Sequence, residues 1–272
     1  MALFDRFTLI AGPCLLEDAG LNLEVGEELA RIGRAFALPI VFKASFDKAN
    51  RSRPGAARGP GLEAGLPLLA QVGERTGLPL LTDVHEPAQC GPAADVVNVL
   101  QIPAFLCRQT DLVEAAGAAA GRRGGAVNIK KGQWMAPEEM AAAVEKARLA
   151  GAPEVAVTER GTIHGYGDLV VDMRSFARLG AATGSPTIFD GTHSVQRPGR
   201  ADGASGGDPE HIPALVRAAV AAGCDGLFLE THPEPARAPS DSTNMLPLAR
   251  LPELLEDVLA IRAALSGEVA HG

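Results

Sequence analysis

Apolar residues recur along this chain in two rhythms. Short aliphatic and β-branched runs alternate with longer Ala/Leu-rich stretches whose apolar positions repeat every three or four residues. The first rhythm predicts buried strands, the second amphipathic helices. Strands are predicted at Thr8–Gly12, Pro39–Ser45, Leu78–Val84, Val96–Pro103, Ala126–Lys131, Glu154–Glu159, Thr187–Asp190 and Gly226–Thr231. Helical patterns between them include LNLEVGEELARIGRAFA, LEAGLPLLAQVGERTG, APEEMAAAVEKARLAG and IPALVRAAVAAG, with LARLPELLEDVLAIRAAL near the end. Gly77, Gly151 and Gly223 close three of them, where a left-handed residue is easily adopted.

Eight strands alternating with helices at intervals of roughly 30 residues predict an α/β fold, a single (β/α)8 TIM barrel. The competing arrangement is a doubly wound open sheet. Its usual GxGxxG turn after the first strand is absent from IAGPCLLED. No Pro/Ser-rich linker or composition shift divides the chain, so residues 1–272 are expected to form one barrel domain. Only seven residues precede the first strand, leaving little to plug the barrel floor.

Composition narrows the classes of function. An apolar fraction of 46 % supplies a large core, and 21 % charged residues is ordinary for a globular protein. A net charge of −8 argues against nucleic-acid binding. Cysteines at 14, 90, 107 and 224 form neither a CxxC pair nor a disulfide framework, which fits a reducing compartment. No signal-peptide pattern and no uninterrupted membrane-length apolar run is present, so a cytoplasmic location without membrane contact is expected.

Barrel enzymes place their chemistry where strands end and βα loops begin. Here those positions read FKASFDKANRSR, TDVHEP, LQIPAFLCRQTD, NIKKGQW, TERGTIHGYG, FDGTHSVQRPG and LETHPEPARAPSDS, polar and charged throughout. Lys43, Lys48, Arg51, Lys130, Lys131 and Arg160 would ring one mouth. Any one of them can be a solvated surface cation. Lys43 and Lys130, however, interrupt apolar strand runs, and a positive cluster in an acidic protein suits phosphate or carboxylate ligands.

Free cysteine is usually a packing residue, and Cys90, Cys107 and Cys224 read that way. Cys14 differs because barrel closure can bring it to His193, Glu230 and Asp241. Thiolate, imidazole and two carboxylates suit a divalent transition metal such as Zn, Fe, Mn or Co. Asp83, Gln101 and Asp190 end strands and can bind hydroxyls of a polyol or sugar. The loops 49–61 and 195–208, rich in Gly, Pro and Arg, suit lids over the mouth.

Taken together, IAGPC, FKASFDKANRS, NIKKGQ, TERGTIHGYGDLVVDMRS, FDGTHSVQ and CDGLFLETHPEP resemble the 3-deoxy-D-manno-octulosonate 8-phosphate synthases, over nearly the whole chain. The resemblance implies a cytoplasmic homotetrameric barrel that condenses phosphoenolpyruvate with D-arabinose 5-phosphate on the route to the lipopolysaccharide inner-core sugar. It places Lys48, Lys130, Arg160 and Gln101 at phosphoenolpyruvate, with Lys43 and His193 alongside. It places Asn50, Arg51, Ser52, Asp83 and Ser205 at arabinose 5-phosphate, with the arginine of KANRS able to reach a neighbouring subunit. Metal-independent relatives carry asparagine in the first-strand motif. Cys14, with His193, Glu230 and Asp241, therefore resembles the metal-dependent class. The arginine-rich QRPGRADGASGGD and the segment SDSTNMLPL depart slightly from the family pattern.

Two alternatives stand beside this reading. The 3-deoxy-D-arabino-heptulosonate 7-phosphate synthases share the barrel, the metal set and phosphoenolpyruvate, but their aldose motif resembles KPRTS rather than KANRS. A non-catalytic phosphosugar-binding barrel would have no need for the full set of cations and ligands.

Overall fold

The computed structural model describes residues 2–51, 55–164, 167–201 and 204–267, with backbone alone at 198–201, 204 and 205. Eight parallel strands form the barrel: β1 (Thr8–Gly12), β2 (Ile40–Lys43), β3 (Leu80–Asp83), β4 (Val99–Ile102), β5 (Ala126–Lys130), β6 (Glu154–Glu159), β7 (Thr187–Asp190) and β8 (Gly226–His232). Each pairs with the next, and β8 returns to β1 with Thr8 opposite Gly226, so the sheet closes. Helices α1 (Ala19–Ala35), α2 (Leu62–Thr76), α3 (Pro87–Ala94), α4 (Thr110–Arg123), α5 (Met140–Leu149), α6 (Ser175–Thr183), α7 (Ile212–Ala221) and α8 (Leu251–Ser266) follow the strands in turn. The strands predicted at 8–12, 154–159 and 187–190 match residue for residue, whereas β2, β3 and β4 are shorter than expected.

Side chains alternate along a strand, so every second residue points into the barrel. Ile10, Val41, Leu81, Val99, Ala126, Ala156, Ile188 and Phe228 form one inner layer. The other face of each strand, for example Leu9, Phe42, Leu100 and Val157, packs on the helices. One step of two along the inner face, the layer turns polar: Lys43, Asp83, Gln101, Asn128, Thr158, Asp190 and Glu230. The barrel is therefore an oily floor beneath a charged, water-excluded layer at the C-terminal strand ends.

The short N-terminal segment does plug that floor. Phe4 is buried against the inner layer, and the Leu3 and Phe4 amides donate to the two Glu154 oxygens at 2.8 and 2.7 Å. Two features escaped the periodicity. Thr162–Ile163 pairs with Leu169–Val170, and Gln196–Ala201 pairs with Ala204–Gly207, each as a small antiparallel hairpin over the C-terminal face. The second hairpin occupies the loop read as a lid.

Candidate active site

The IAGPC turn is built by close approach of two strands. A Cβ on Gly12 would lie 2.0 Å from the Lys43 carbonyl oxygen, so only glycine lets β1 run this near β2. Past Pro13 the chain turns sharply, and Cys14 adopts φ 45°, a left-handed conformation costly for a side-chain-bearing residue. Asp241, in the loop after β8, shares that rare conformation at φ 53°. With both residues in this conformation their side chains meet: Cys14 Sγ donates to Asp241 Oδ2 at 3.0 Å. Burial pushes the Cys14 thiol well up, with Asp241 and Glu230 adding to the effect.

Cys14, Glu230 and Asp241 each offer a ligand atom within 4.8 Å of the others. His193 lies beside this group rather than inside it, with Nε2 3.5 Å from Glu230 Oε2. Its Nδ1 meets Asp190 Oδ2 at 2.8 Å, and Asp190 Oδ1 accepts from the His193 amide at 2.8 Å. A carboxylate behind the imidazole fixes its orientation and leaves Nε2 towards the cluster. Glu230 Oε2 is buried with no hydrogen-bond partner, an arrangement that costs stability unless a cation completes it. The donor set thus fits a divalent transition metal.

The cations fall into distinct roles. Lys43 Nζ, fully buried, donates to Glu230 Oε1 at 2.6 Å and to the Cys14 carbonyl at 3.0 Å. Lys48 Nζ reaches Ser45 Oγ at 3.1 Å and lies 4.0 Å from Glu230 Oε1. Burial opposes its charge, but Cys14, Glu230, Asp83 and Asp241 together hold it above the ordinary lysine range. Lys130 Nζ donates to Asp190 Oδ2 at 2.6 Å and sits 3.6 Å over the Phe228 ring, while burial draws its pKa down. Arg160 Nη2 donates to Gln196 Oε1 at 2.7 Å, and its Nη1 is buried without a partner. Lys131 belongs elsewhere. Strand alternation turns it outward, where it donates to the Gly132 and Met135 carbonyls and to Thr162 Oγ1 and lies 3.5 Å from Glu159.

A polar chain crosses the barrel beneath them. Thr158 donates to Asn128 at 2.8 Å, Asn128 to Gln101 at 2.8 Å, and Gln101 to Asp83 Oδ1 at 2.6 Å. Ser45 Oγ and Lys43 Nζ approach the other Asp83 oxygen; burial would raise the Asp83 pKa, but Lys43 and Lys48 outweigh it and hold the carboxyl far below the usual range. Asp190, expected to bind hydroxyls, is instead occupied by Lys130 and His193 and does not line the cavity. On the rim, Arg51 donates to Ser240 Oγ at 2.8 Å and to the Ala57 carbonyl, and Ser240 donates to Asp241 Oδ2 at 3.1 Å. Lys48, Gln101, Lys130, Arg160, Glu230 and Asp241 line one cavity of about 800 Å³, whose wall also includes Asn50, Arg51, His85 and Phe105. Ser52 and the Ser205 side chain lie outside the described residues.

The sequence pattern of the DAHP synthetase I family matches residues 4–264, nearly the full length. The chain belongs to the DAHP synthetase I family. Among its relatives, a protein of Methylobacterium radiotolerans is 54 % identical over 254 residues, covering 93 % of this chain and 88 % of its own. One from Rhodopseudomonas palustris strain HaA2 is 52 % identical over 267 residues, covering 96 % and 92 %. One from Syntrophotalea carbinolica is 51 % identical over 259 residues, covering 95 % and 92 %. All three are named 2-dehydro-3-deoxyphosphooctonate aldolase.

In this member of the family, two site residues escaped the reading by strand ends. Gln196 joins Arg160 to Asp241, and Gln133 lines the cavity with its Oε1 buried and unpartnered. NIKKGQ and FDGTHSVQ contain both, but no rule of alternation reaches past the turns that aim them. Among the described residues no helix is long and apolar enough to cross a membrane.

Proposed function

We propose that this chain condenses phosphoenolpyruvate with D-arabinose 5-phosphate and water, releasing phosphate and 3-deoxy-D-manno-octulosonate 8-phosphate. The methylene carbon of phosphoenolpyruvate forms the new carbon–carbon bond with the aldehyde carbon. Water adds to the enol carbon, and phosphate leaves with cleavage of the C–O bond. The observation that carries this reading is the ring of Lys48, Lys130 and Arg160 around one cavity at the barrel mouth, in a chain whose relatives are named 2-dehydro-3-deoxyphosphooctonate aldolase.

In this reading Lys48 and Arg160 grip the phosphate and carboxylate of phosphoenolpyruvate, and Lys130 and Gln101 line the same pocket. The unpartnered Arg160 Nη1 offers a donor where a three-carbon dianion needs one. Asn50, Arg51, Ser52 and Ser205 hold the sugar phosphate, and Asp83, kept ionised by Lys43 and Lys48, accepts from sugar hydroxyls. Positioning two anions in line among fixed cations supplies much of the acceleration. Cys14, Glu230 and Asp241, joined by His193 Nε2, would hold a divalent transition metal. Bound there, such a metal supplies positive charge for polarising an oxygen or acidifying water.

The assembly expected is a homotetramer in the cytoplasm, in the pathway to the lipopolysaccharide inner core. Phe105 and Trp134, 55 % and 48 % exposed and stacked at 5.9 Å, give the rim an apolar surface suited to a second copy. The test is product identification. Incubation with phosphoenolpyruvate and arabinose 5-phosphate should yield phosphate and an eight-carbon 3-deoxy ketosugar acid phosphate in equal amounts. Binding of both substrates without phosphate release would instead favour a binding protein.

A further inference from the structure

Gln196 stands just past the His193–Val195 turn and opens the 196–207 hairpin. It is buried, and both ends of its amide are committed. Oε1 accepts from Arg160 Nη2 at 2.7 Å, and Nε2 donates to Asp241 Oδ1 at 2.9 Å. Arg160 belongs to the anion-binding cations and Asp241 to the Cys14–Glu230–Asp241 cluster. One amide therefore spans the two halves of the site.

The chemistry at this position is demanding. The side chain must show an acceptor to a cation and a donor to an anion at once, and a primary amide does both without a net charge. Glutamate would place a second carboxylate against Asp241, and leucine would leave both neighbours unsatisfied. Asp241 also holds a left-handed backbone at φ 53°, which persists only where its surroundings enforce it.

We infer that Gln196 is a positioning residue that couples the anion site at Arg160 to the metal site at Asp241. The inference rests on the proposed function for the identity of the anion. An anion reaching the unpartnered Arg160 Nη1 leaves the Nη2 bond to Gln196 in place and restricts the guanidinium. The restricted guanidinium holds Oε1, which keeps Nε2 aimed at Asp241 and that carboxylate aligned with Cys14 and Glu230. Metal and phosphoenolpyruvate then strengthen each other's binding, by the same factor in both directions.

Cobalt(II) is the probe, read by thiolate-to-cobalt absorption and titrated with and without saturating phosphoenolpyruvate. Calorimetry supplies the reverse titration of phosphoenolpyruvate with and without cobalt. In the unaltered protein phosphoenolpyruvate should tighten cobalt binding by at least about fivefold, the lower end of ordinary coupling. Gln196→Leu should still bind each ligand, with the coupling factor reduced to about one. Gln196→Glu, of native shape, guards against misfolding of the leucine variant. It should bind cobalt more weakly than the unaltered protein and also lose coupling. An unchanged coupling factor in a folded variant overturns the inference. So does an absence of coupling in the unaltered protein when phosphoenolpyruvate binds. If phosphoenolpyruvate does not bind at all, with or without cobalt, the reading of function falls and the coupling falls with it.

Discussion

Glu230 meets Lys43 at 2.6 Å through Oε1, while its Oε2, buried and unpartnered, lies 3.5 Å from His193 Nε2. One carboxylate thus neutralises a buried lysine on one side and faces the ligand cluster on the other. Burial would raise the Glu230 pKa, but Lys43, His193 and Lys48 hold it below the ordinary range, ionised and ready to ligate.

Removing the metal should therefore stop turnover. Exhaustive chelation is expected to abolish phosphate release, and Zn, Fe, Mn or Co ions to restore it, as followed by a phosphate assay. Cys14→Asn should retain less metal after gel filtration, measured by elemental analysis. Metal content equal to the unaltered protein would remove Cys14 from the ligand set.

Lys43 is equally exposed to test. Lys43→Met leaves Glu230 without its closest cation, and breaking a buried pair costs roughly 3–5 kcal/mol. Thermal unfolding of the chelated protein should show the loss in full. Added divalent metal should recover part of it, because positive charge returns to the same carboxylate.

The proposed function gives Arg51 to the sugar phosphate. Its donors run to Ser240 and the Ala57 carbonyl at the cavity rim. Arg51→Ala should lower kcat/KM for arabinose 5-phosphate by about ten- to a hundredfold, the worth of one charged hydrogen bond. The KM for phosphoenolpyruvate should change little in the same steady-state series.

The remaining cysteines give the pH dependence. Cys90 and Cys224 are buried, and burial pushes their thiols up to about 11 and about 12, with Cys107 raised as well. At pH 8 all three should resist a thiol reagent in the native protein, whereas all four cysteines react in denaturant. The sign for stability follows. Unfolded thiols ionise near pH 9.0 and the native ones only at higher pH, so their contribution is intact below pH 9 and is lost as pH rises from there towards about 11 and about 12.

Much of the fold was legible because burial on both faces makes barrel strands read as short apolar runs. Alternation also separates Lys130, facing in, from Lys131, facing out, although the strand-end pattern grouped them together. Convergence of Cys14, Glu230 and Asp241 needed closure of β8 on β1, which strand counting supplies. His193 and Gln196 were harder. Their directions depend on the turn after β7, and no periodic rule carries through such a turn. The hairpins at 162–170 and 196–207 are short and, in the second case, rich in Gly, Pro and Arg, so no strand pattern announces them. Phe4 is a single buried residue outside any period, and it plugs the floor all the same.

Acceptor choice decides between the octulosonate and heptulosonate reactions. Phosphate release from phosphoenolpyruvate should be measured with arabinose 5-phosphate and with erythrose 4-phosphate, side by side, in metal-loaded protein. Release should be rapid with the five-carbon sugar and slight with the four-carbon one. Turnover with erythrose 4-phosphate alone would contradict it.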